Sequence, residues 1–210
     1  GTEDTAIALD ITSAVTDASE ALSISISGVP DGATLSSGAK QADGSWSVDP
    51  ANLDGLTITP PTNSDVEFSL TVTATSTDGS DTATSTGTIA VTVAADADAP
   101  TLATTDAAGS EDQPIALDIT SALTDVDGSE ALTLNISGVP AGATLNNGAK
   151  QADGSWNLTA VDLTNLTITP TADSDANFQL TVTSTSTEAD GGDFETVTDT
   201  IDVTIDAVAD

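Results

Sequence analysis

The 210-residue chain has no cysteine, no histidine, no tyrosine and no methionine, and only two of its residues are Lys or Arg. Without cysteine no disulfide can staple the fold and thiol redox chemistry is absent, so cysteine usage fixes no compartment. Without His, Cys or Tyr no nucleophile and base can be assembled into a triad, and the chain is not expected to be an enzyme. A pair of carboxylates could in principle cleave a glycoside, but two Trp and three Phe leave no evident sugar platform. The two Lys or Arg stand against 34 Asp and Glu, a formal net charge of -32. Such a surface repels phosphate backbones and anionic lipid, which excludes nucleic acid as a partner. No apolar run is long enough to span a bilayer, so membrane insertion is not expected. Gly1 opens directly into a repeat with no basic and apolar leader, so the chain reads as a piece of something longer.

Leu, Ile, Val and Phe make up about a fifth of the chain, close to the level below which a highly charged sequence stays disordered. With almost no basic side chains to offset the self-repulsion, the available agents are metal cations or high salt. The apolar residues alternate with polar ones: Leu22, Ile24 and Ile26 are interleaved with Ser23, Ser25 and Ser27, and Phe68, Leu70 and Val72 follow the same rule. A two-residue period means strands with one face inward and one in water. Turn chemistry separates them, as in Gly28-Val29-Pro30-Asp31-Gly32 and Asp43-Gly44. Asp49-Pro50-Ala51-Asn52 has the form of a single capped helical turn.

The pattern occurs twice. Residues 7–14 are identical to 115–122, and 38–46 are identical to 148–156. The extra residues of the second copy fall in turns, Asp127-Gly128 among them, as a shared sandwich core requires. About seven short strands in each copy of roughly 100 residues point to an all-β chain of two tandem immunoglobulin-like or cadherin-like sandwiches arranged end to end, residues 1–97 and 98–210. Aligning Gly1 with Gly109 leaves copy one without an equivalent of residues 100–108. Domain one is therefore expected to lack its first strand and to expose a sheet edge able to pair with a neighbour, in an otherwise monomeric protein. Trp46 and Trp156 occupy equivalent repeat positions, which suits core packing rather than ligand contact.

Acidic residues gather in the turns. Asp125-Val126-Asp127-Gly128-Ser129-Glu130 places three carboxylates around a glycine, the kind of loop that gives a hard cation such as calcium several of its six to eight oxygens. It is not an EF-hand, because the twelfth position from Asp125 is Ile136. Copy one has only Asp17-Ala18-Ser19-Glu20 there, a weaker or differently built site. Further candidate ligands are Glu3 with Asp4, Glu111 with Asp112, the aspartates Asp65, Asp173 and Asp175 ahead of Phe68 and Phe178, and Asp96 with Asp98 in the linker before Pro100. An up-and-down strand path puts the Asp125 and Asp175 loops at one end of domain two, where the chain leaves through Asp206 and Asp210. It likewise sets Asp17, Glu20 and Asp65 facing Asp96 and Asp98. The 188–195 loop with Asp190, Asp193 and Glu195 is expected at the opposite end of domain two. The bland alternative for each cluster is a solvated acidic turn.

The motifs Gly-x-Glu-Asp, Ile-Ala-Leu-Asp-Ile, Thr-Asp-Val-Asp-Gly-Ser-Glu, Ile-Ser-Gly-Val-Pro-Ala-Gly-Ala-Thr-Leu and Asp-Gly-Ser-Trp, with the Asp-Ala-Pro seam, resemble bacterial cadherin-like or immunoglobulin-like repeats. The set is similar to the tandem extender domains of giant repeats-in-toxin (RTX) adhesins, over nearly the whole of both copies. The resemblance implies a stalk stiffened by Ca2+, exported by type I secretion and displayed extracellularly on the bacterial cell surface in cell adhesion and biofilm, with neighbouring repeats of the same chain as partners. It carries the metal-ligand role onto Glu111, Asp112, Asp125, Asp127, Glu130, Asp96 and Asp98. Three function classes follow: a structural spacer, a ligand-binding adhesion module that holds a sugar or a protein through its loops, and acidity that is adaptation to salt alone. Near-identity of the copies favours the spacer, since a specific binding site is carried by divergent loops.

Overall fold

A computed structural model describes residues 1–209; Asp210, one of the two exit aspartates, lies outside the described residues. The described residues form strands, turns and two short 3-10 segments, with no α-helix. The chain divides into two compact units, Gly1–Asp96 and Ala97–Asp210.

In the first unit, β2 (Ala21–Ser27), β4 (Ala39–Lys40), β5 (Trp46–Val48), β7 (Phe68–Asp78) and β8 (Asp81–Val91) form a five-stranded sheet in the order β4-β5-β2-β7-β8. A three-stranded sheet of β1 (Ile7–Ala8), β6 (Thr57–Thr59) and β3 (Thr34–Leu35), in the order β1-β6-β3, supplies the second layer. The core is what the alternation demands: Ile24, Ile26 and Leu70 from one layer meet Leu35 and Ile58 from the other. Asp49 accepts a hydrogen bond from the Ala51 amide at 2.9 Å and caps the turn Pro50–Asn52.

The second unit repeats this plan with two additions. Its large sheet has six strands, ordered β10 (Ala107–Ser110), β19 (Phe194–Asp206), β18 (Phe178–Glu188), β13 (Glu130–Ser137), β16 (Trp156–Leu158) and β15 (Ala149–Lys150). A second layer contains β11 (Ile115–Ala116), β17 (Thr167–Thr169) and β14 (Thr144–Leu145). Beside these, β9 (Thr101–Thr104) pairs antiparallel with β12 (Ile119–Ala122).

The first unit has no counterpart of β9, and its residues 11–14 are not in a strand although they match Ile119 to Ala122 letter for letter. The strand that begins at Ile7 therefore stops at Ala8. An octet with a partner strand extends, and the same octet without one does not, because the ladder hydrogen bonds have nowhere to go. The counterpart of β10 shrinks to a single parallel bridge, Thr2 to Ala94. Trp156 is buried in the core of its unit, and Trp46 packs against the core of the first.

Gly138 sits at φ 80°, and a Cβ there would stand 2.5 Å from the Gln179 carbonyl oxygen, whereas Gly154 at φ 91° has open space around the same atom. Both pay the left-handed cost for an L side chain, about 1–2 kcal/mol, but only one meets a strand backbone. Gly138→Ala is expected to lose clearly more stability than Gly154→Ala in urea unfolding. The chain has one Trp per unit, so 19F-labelled tryptophan reads the loss on the Trp156 resonance; equal losses would contradict the close approach.

Candidate metal centre

The inward face of β18 runs Leu180, Val182, Ser184, Ser186 and Glu188, all buried. It passes from apolar to polar as it nears the end of the unit at which residues 97–99 enter, here called the leading end. Strand pairing sets Glu188 directly opposite Glu130, the first residue of β13. Like charges directly opposed across two strands destabilise a sheet. Both side chains are buried, at 2% and 9% exposure. The Glu130 Oε1 atom accepts the Asp98 amide at 2.7 Å, while its Oε2 is buried without a partner, as is the Oε2 of Glu188.

The loop before β13 completes the cluster. Asp125, buried at 1% exposure, accepts the Asp127 amide at 2.8 Å through Oδ1 and the Ser129 hydroxyl at 3.2 Å through Oδ2. Asp127 accepts the Ser129 amide at 2.8 Å. The Ser129 hydroxyl also lies 3.5 Å from Glu188 Oε1, but with one proton it cannot serve both carboxylates at once. The segment entering the unit is held by the same groups: the Ser186 hydroxyl donates to the Asp98 carbonyl, and the Thr124 hydroxyl donates to the Ala99 carbonyl at 2.7 Å.

Electrostatics follow from this crowding. Burial pushes the Glu130 carboxyl above the ordinary range against the lowering effect of the Asp98 amide, and the charges of Asp125, Asp98 and Asp127 push it further. Burial likewise raises Glu188, reinforced by Glu130, Asp125 and Asp127 and only partly opposed by Ser129. Asp125, Asp127, Glu130 and Glu188 gather with no basic side chain to answer them, and two of the four, Glu130 and Glu188, keep a buried oxygen without a partner, which suits a hard cation.

The second acidic grouping lies at the other, trailing end of each unit, and its groups are largely spent on backbone. Glu111 accepts the Val208 amide at 2.7 Å, and Asp112 accepts the Asp173 amide at 3.1 Å. In the first unit Glu3 accepts the Asp96 amide at 2.8 Å and Asp4 accepts the Asn63 amide at 3.1 Å. The Gly-x-Glu-Asp motif thus ties the departing chain and the loop before the long strand to the start of its own unit. Asp4, Asn63, Asp112 and Asp173 all take left-handed backbone, with φ between 53° and 59°, which Asn and Asp tolerate best among residues with a side chain.

The strand register overturns the end-by-end placement expected from sequence. β13 and β18 are antiparallel, so the Asp125–Glu130 loop meets the end of β18, not its start. Asp125 therefore shares the leading end with the loop after Glu188, which carries the exposed Asp190, Asp193 and Glu195. Asp175, ahead of Phe178 and its partner Val203, lies at the opposite, trailing end with Asp206. The first unit behaves the same way. Ala21 pairs with Thr77, which sets Asp17 and Glu20 at the leading end, while Phe68 pairs with Val91, which sets Asp65 at the trailing end with Asp96. Asp17 and Glu20 do not face Asp96. The residue that sequence reasoning missed is Glu188, taken only as the start of a loop. Its signal was present, because it continues the inward alternation of β18.

No protein-family model matches the chain, and no curated protein matches it. Among solved structures, the chain is similar to an endo-fucoidan hydrolase of glycoside hydrolase family 107 at 23% identity, covering 90% of this chain and 24% of that one, with a TM-score of 0.28. It is similar to Drosophila N-cadherin EC1-3 at 16% identity, covering 91% and 57%, with a TM-score of 0.30. It is also similar to the Yersinia pseudotuberculosis adhesin InvE at 17% identity, covering 89% and 49%, with a TM-score of 0.26. The chain thus spans from a quarter to rather more than half of these three proteins. The fold of the described residues is all-β, each unit pairing a large sheet with a smaller one.

Glu130 and Glu188 give the leading end an unusual pH response. A carboxyl that takes a proton more readily folded than unfolded contributes stability that is complete below the unfolded value, about 4.3 for Glu, and is lost as pH rises through the raised folded value. In chelator at constant ionic strength, the melting temperature of the Trp156 unit should therefore rise as pH falls from 7 towards 5. Asp153, held below the ordinary range by the Ser155 amide and hydroxyl, loses its contribution only at more acid pH than this window, and the comparison with Glu188→Gln isolates the effect of the glutamate pair. The variant should show a smaller gain on acidification; an unchanged gain would contradict the assignment.

Proposed function

We propose that this chain is a spacer module of a large secreted bacterial cell-surface adhesin, in which calcium bound at acidic loops stiffens tandem sandwiches. The observation that supports the reading is the facing pair Glu130 and Glu188, each with a buried carboxylate oxygen lacking a partner in a chain of net charge -32. Asp125, Asp127, Glu130 and Glu188 would hold the ion, and Ca2+ would supply the charge that cancels their repulsion. The proposal extends the same role to the linker aspartates Asp96 and Asp98, whose amides are each fixed by a glutamate of their own unit.

Coupling to location follows from mass action. Free calcium inside a cell lies far below the affinities of extracellular sites, so the chain stays loose for export. Outside, at about a hundred times the dissociation constant, each site contributes roughly 2.7 kcal/mol. A spacer needs neither a substrate pocket nor catalytic groups, which suits the composition.

On that scale a domain of this size gains about 10–20 °C per saturated site. Melting the full chain in calcium and in chelator, with sodium at matched ionic strength as control, should raise the Trp156 transition by that order in calcium alone. Equal rescue by sodium would replace the proposal with salt adaptation. Binding of glycans or host proteins without a calcium effect would replace it with the adhesion module.

A further inference from the structure

The large sheet of the second unit carries an open groove of about 550 Å³ whose walls include Thr133, Asn135, Asn157, Thr159, Asp162 and Thr185, a size that suits a small ligand. Register sets Thr133 opposite Thr185 and Asn135 opposite Asn157. A chain of hydrogen bonds fixes how the two asparagines point. The Asp153 carboxylate accepts the Ser155 amide at 3.0 Å and the Ser155 hydroxyl at 2.8 Å, so the Ser155 oxygen has its proton engaged and can only accept. Asn135 Nδ2 donates to that oxygen at 3.1 Å and to Asn157 Oδ1 at 2.8 Å. Each carboxamide therefore has one end assigned. The other ends are Asn135 Oδ1, an acceptor, and Asn157 Nδ2, a donor, side by side and without a protein partner among the described residues. The repeat makes this patch particular to the second unit. Residues 148–156 are identical to 38–46 and Thr185 matches Thr75, yet the first unit has Ser23, Ser25, Ser47 and Asp49 in place of Thr133, Asn135, Asn157 and Thr159. The first unit keeps the bond from Ser45 to Asp43, at 2.7 Å, but has no amide side chains to extend it. Two near-identical copies thus differ at the polar wall of one groove.

We propose that this groove binds a neutral oligosaccharide, with Asn135 Oδ1 accepting from one sugar hydroxyl and Asn157 Nδ2 donating to the next. Neighbouring hydroxyls suit an adjacent acceptor and donor because each can take either role. Charge selects among sugars: Asp162 lines the groove, no basic side chain does, and the chain has a net charge of -32, so uronic acids, sulfates and phosphates are repelled. A folded protein is the poorer occupant, since a stable interface draws about 800 Å² from each partner around an apolar, aromatic-rich centre, and this wall is mostly threonine and asparagine. No aromatic ring lines the groove, so the sugar gains no stacking and binding at a single site is weak. The site is independent of the calcium reading, since none of the groove residues named here belongs to the metal cluster.

The test follows the side-chain amide resonances of Asn135 and Asn157 in the 15N-labelled full chain, kept in calcium. Hexasaccharides of glucose, galactose and mannose are titrated separately to tens of millimolar. At least one of the three is expected to shift both resonances saturably, while the backbone amides of Ser25 and Ser47 stay in place and oligogalacturonate, the acidic counterpart, moves nothing. The variant Asn135→Ser/Asn157→Ser takes the residues that the first unit already uses, so it should keep its fold, which the Trp156 melt checks. Its binding should be weaker by about 10-fold or more through the two lost hydrogen bonds. Absence of a shift with all three neutral sugars would overturn the proposal, as would equal shifts with oligogalacturonate or undiminished binding by the folded serine variant. Equal shifts with an end-blocked Gly-Ser-Gly-Ser peptide would give the groove to a peptide main chain and overturn the sugar assignment as well.

Discussion

Two buried glutamates that face each other across a pair of strands, in a chain with two basic residues, set the terms for the rest of this molecule. A sheet can bury such a pair only by keeping a proton on one member or by admitting a cation between them. Both solutions make the stability of the unit depend on the medium and not on its apolar core alone. The cores are small, with alternate residues on short strands doing the packing and Thr or Ser on the opposite face. A polar outer face and thin packing are therefore two sides of one composition.

The two units show how far context decides local structure. Identical octets form β11 and β12 in the second unit, but only the two residues of β1 in the first. Nothing in the octet differs; the presence of β9 does. In the second unit β9 lies over Ile201, which is fully buried, whereas the equivalent Ile89 is partly open.

Much of this was legible from residues alone. Alternation in stretches such as Leu22 to Ile26 and Phe68 to Val72 fixed the strands, repeated blocks fixed the equivalences, and Asp49-Pro50 announced its turn. The acidic loop at Asp125 was visible because a glycine and three carboxylates lie close in sequence. What sequence spacing could not carry was which loops share an end. That depends on the direction of β18 relative to β13, a non-local pairing, and it moved Asp17, Glu20 and Asp175 away from the partners expected for them and brought Glu188 to Glu130. The recurring Glu and Asp of the Gly-x-Glu-Asp motif also proved to have backbone amides as partners, a use that a carboxylate count does not distinguish from metal binding.

The central claim is that a cation answers the charge gathered at the leading end of the second unit. Calorimetric titration of calcium into the metal-free full chain at neutral pH, set beside the Glu130→Gln/Glu188→Gln double variant, addresses it most directly. Saturable binding in the parent chain with at least one site missing from the variant is the expected result. The same number of sites with the same heat and affinity in both proteins would contradict it.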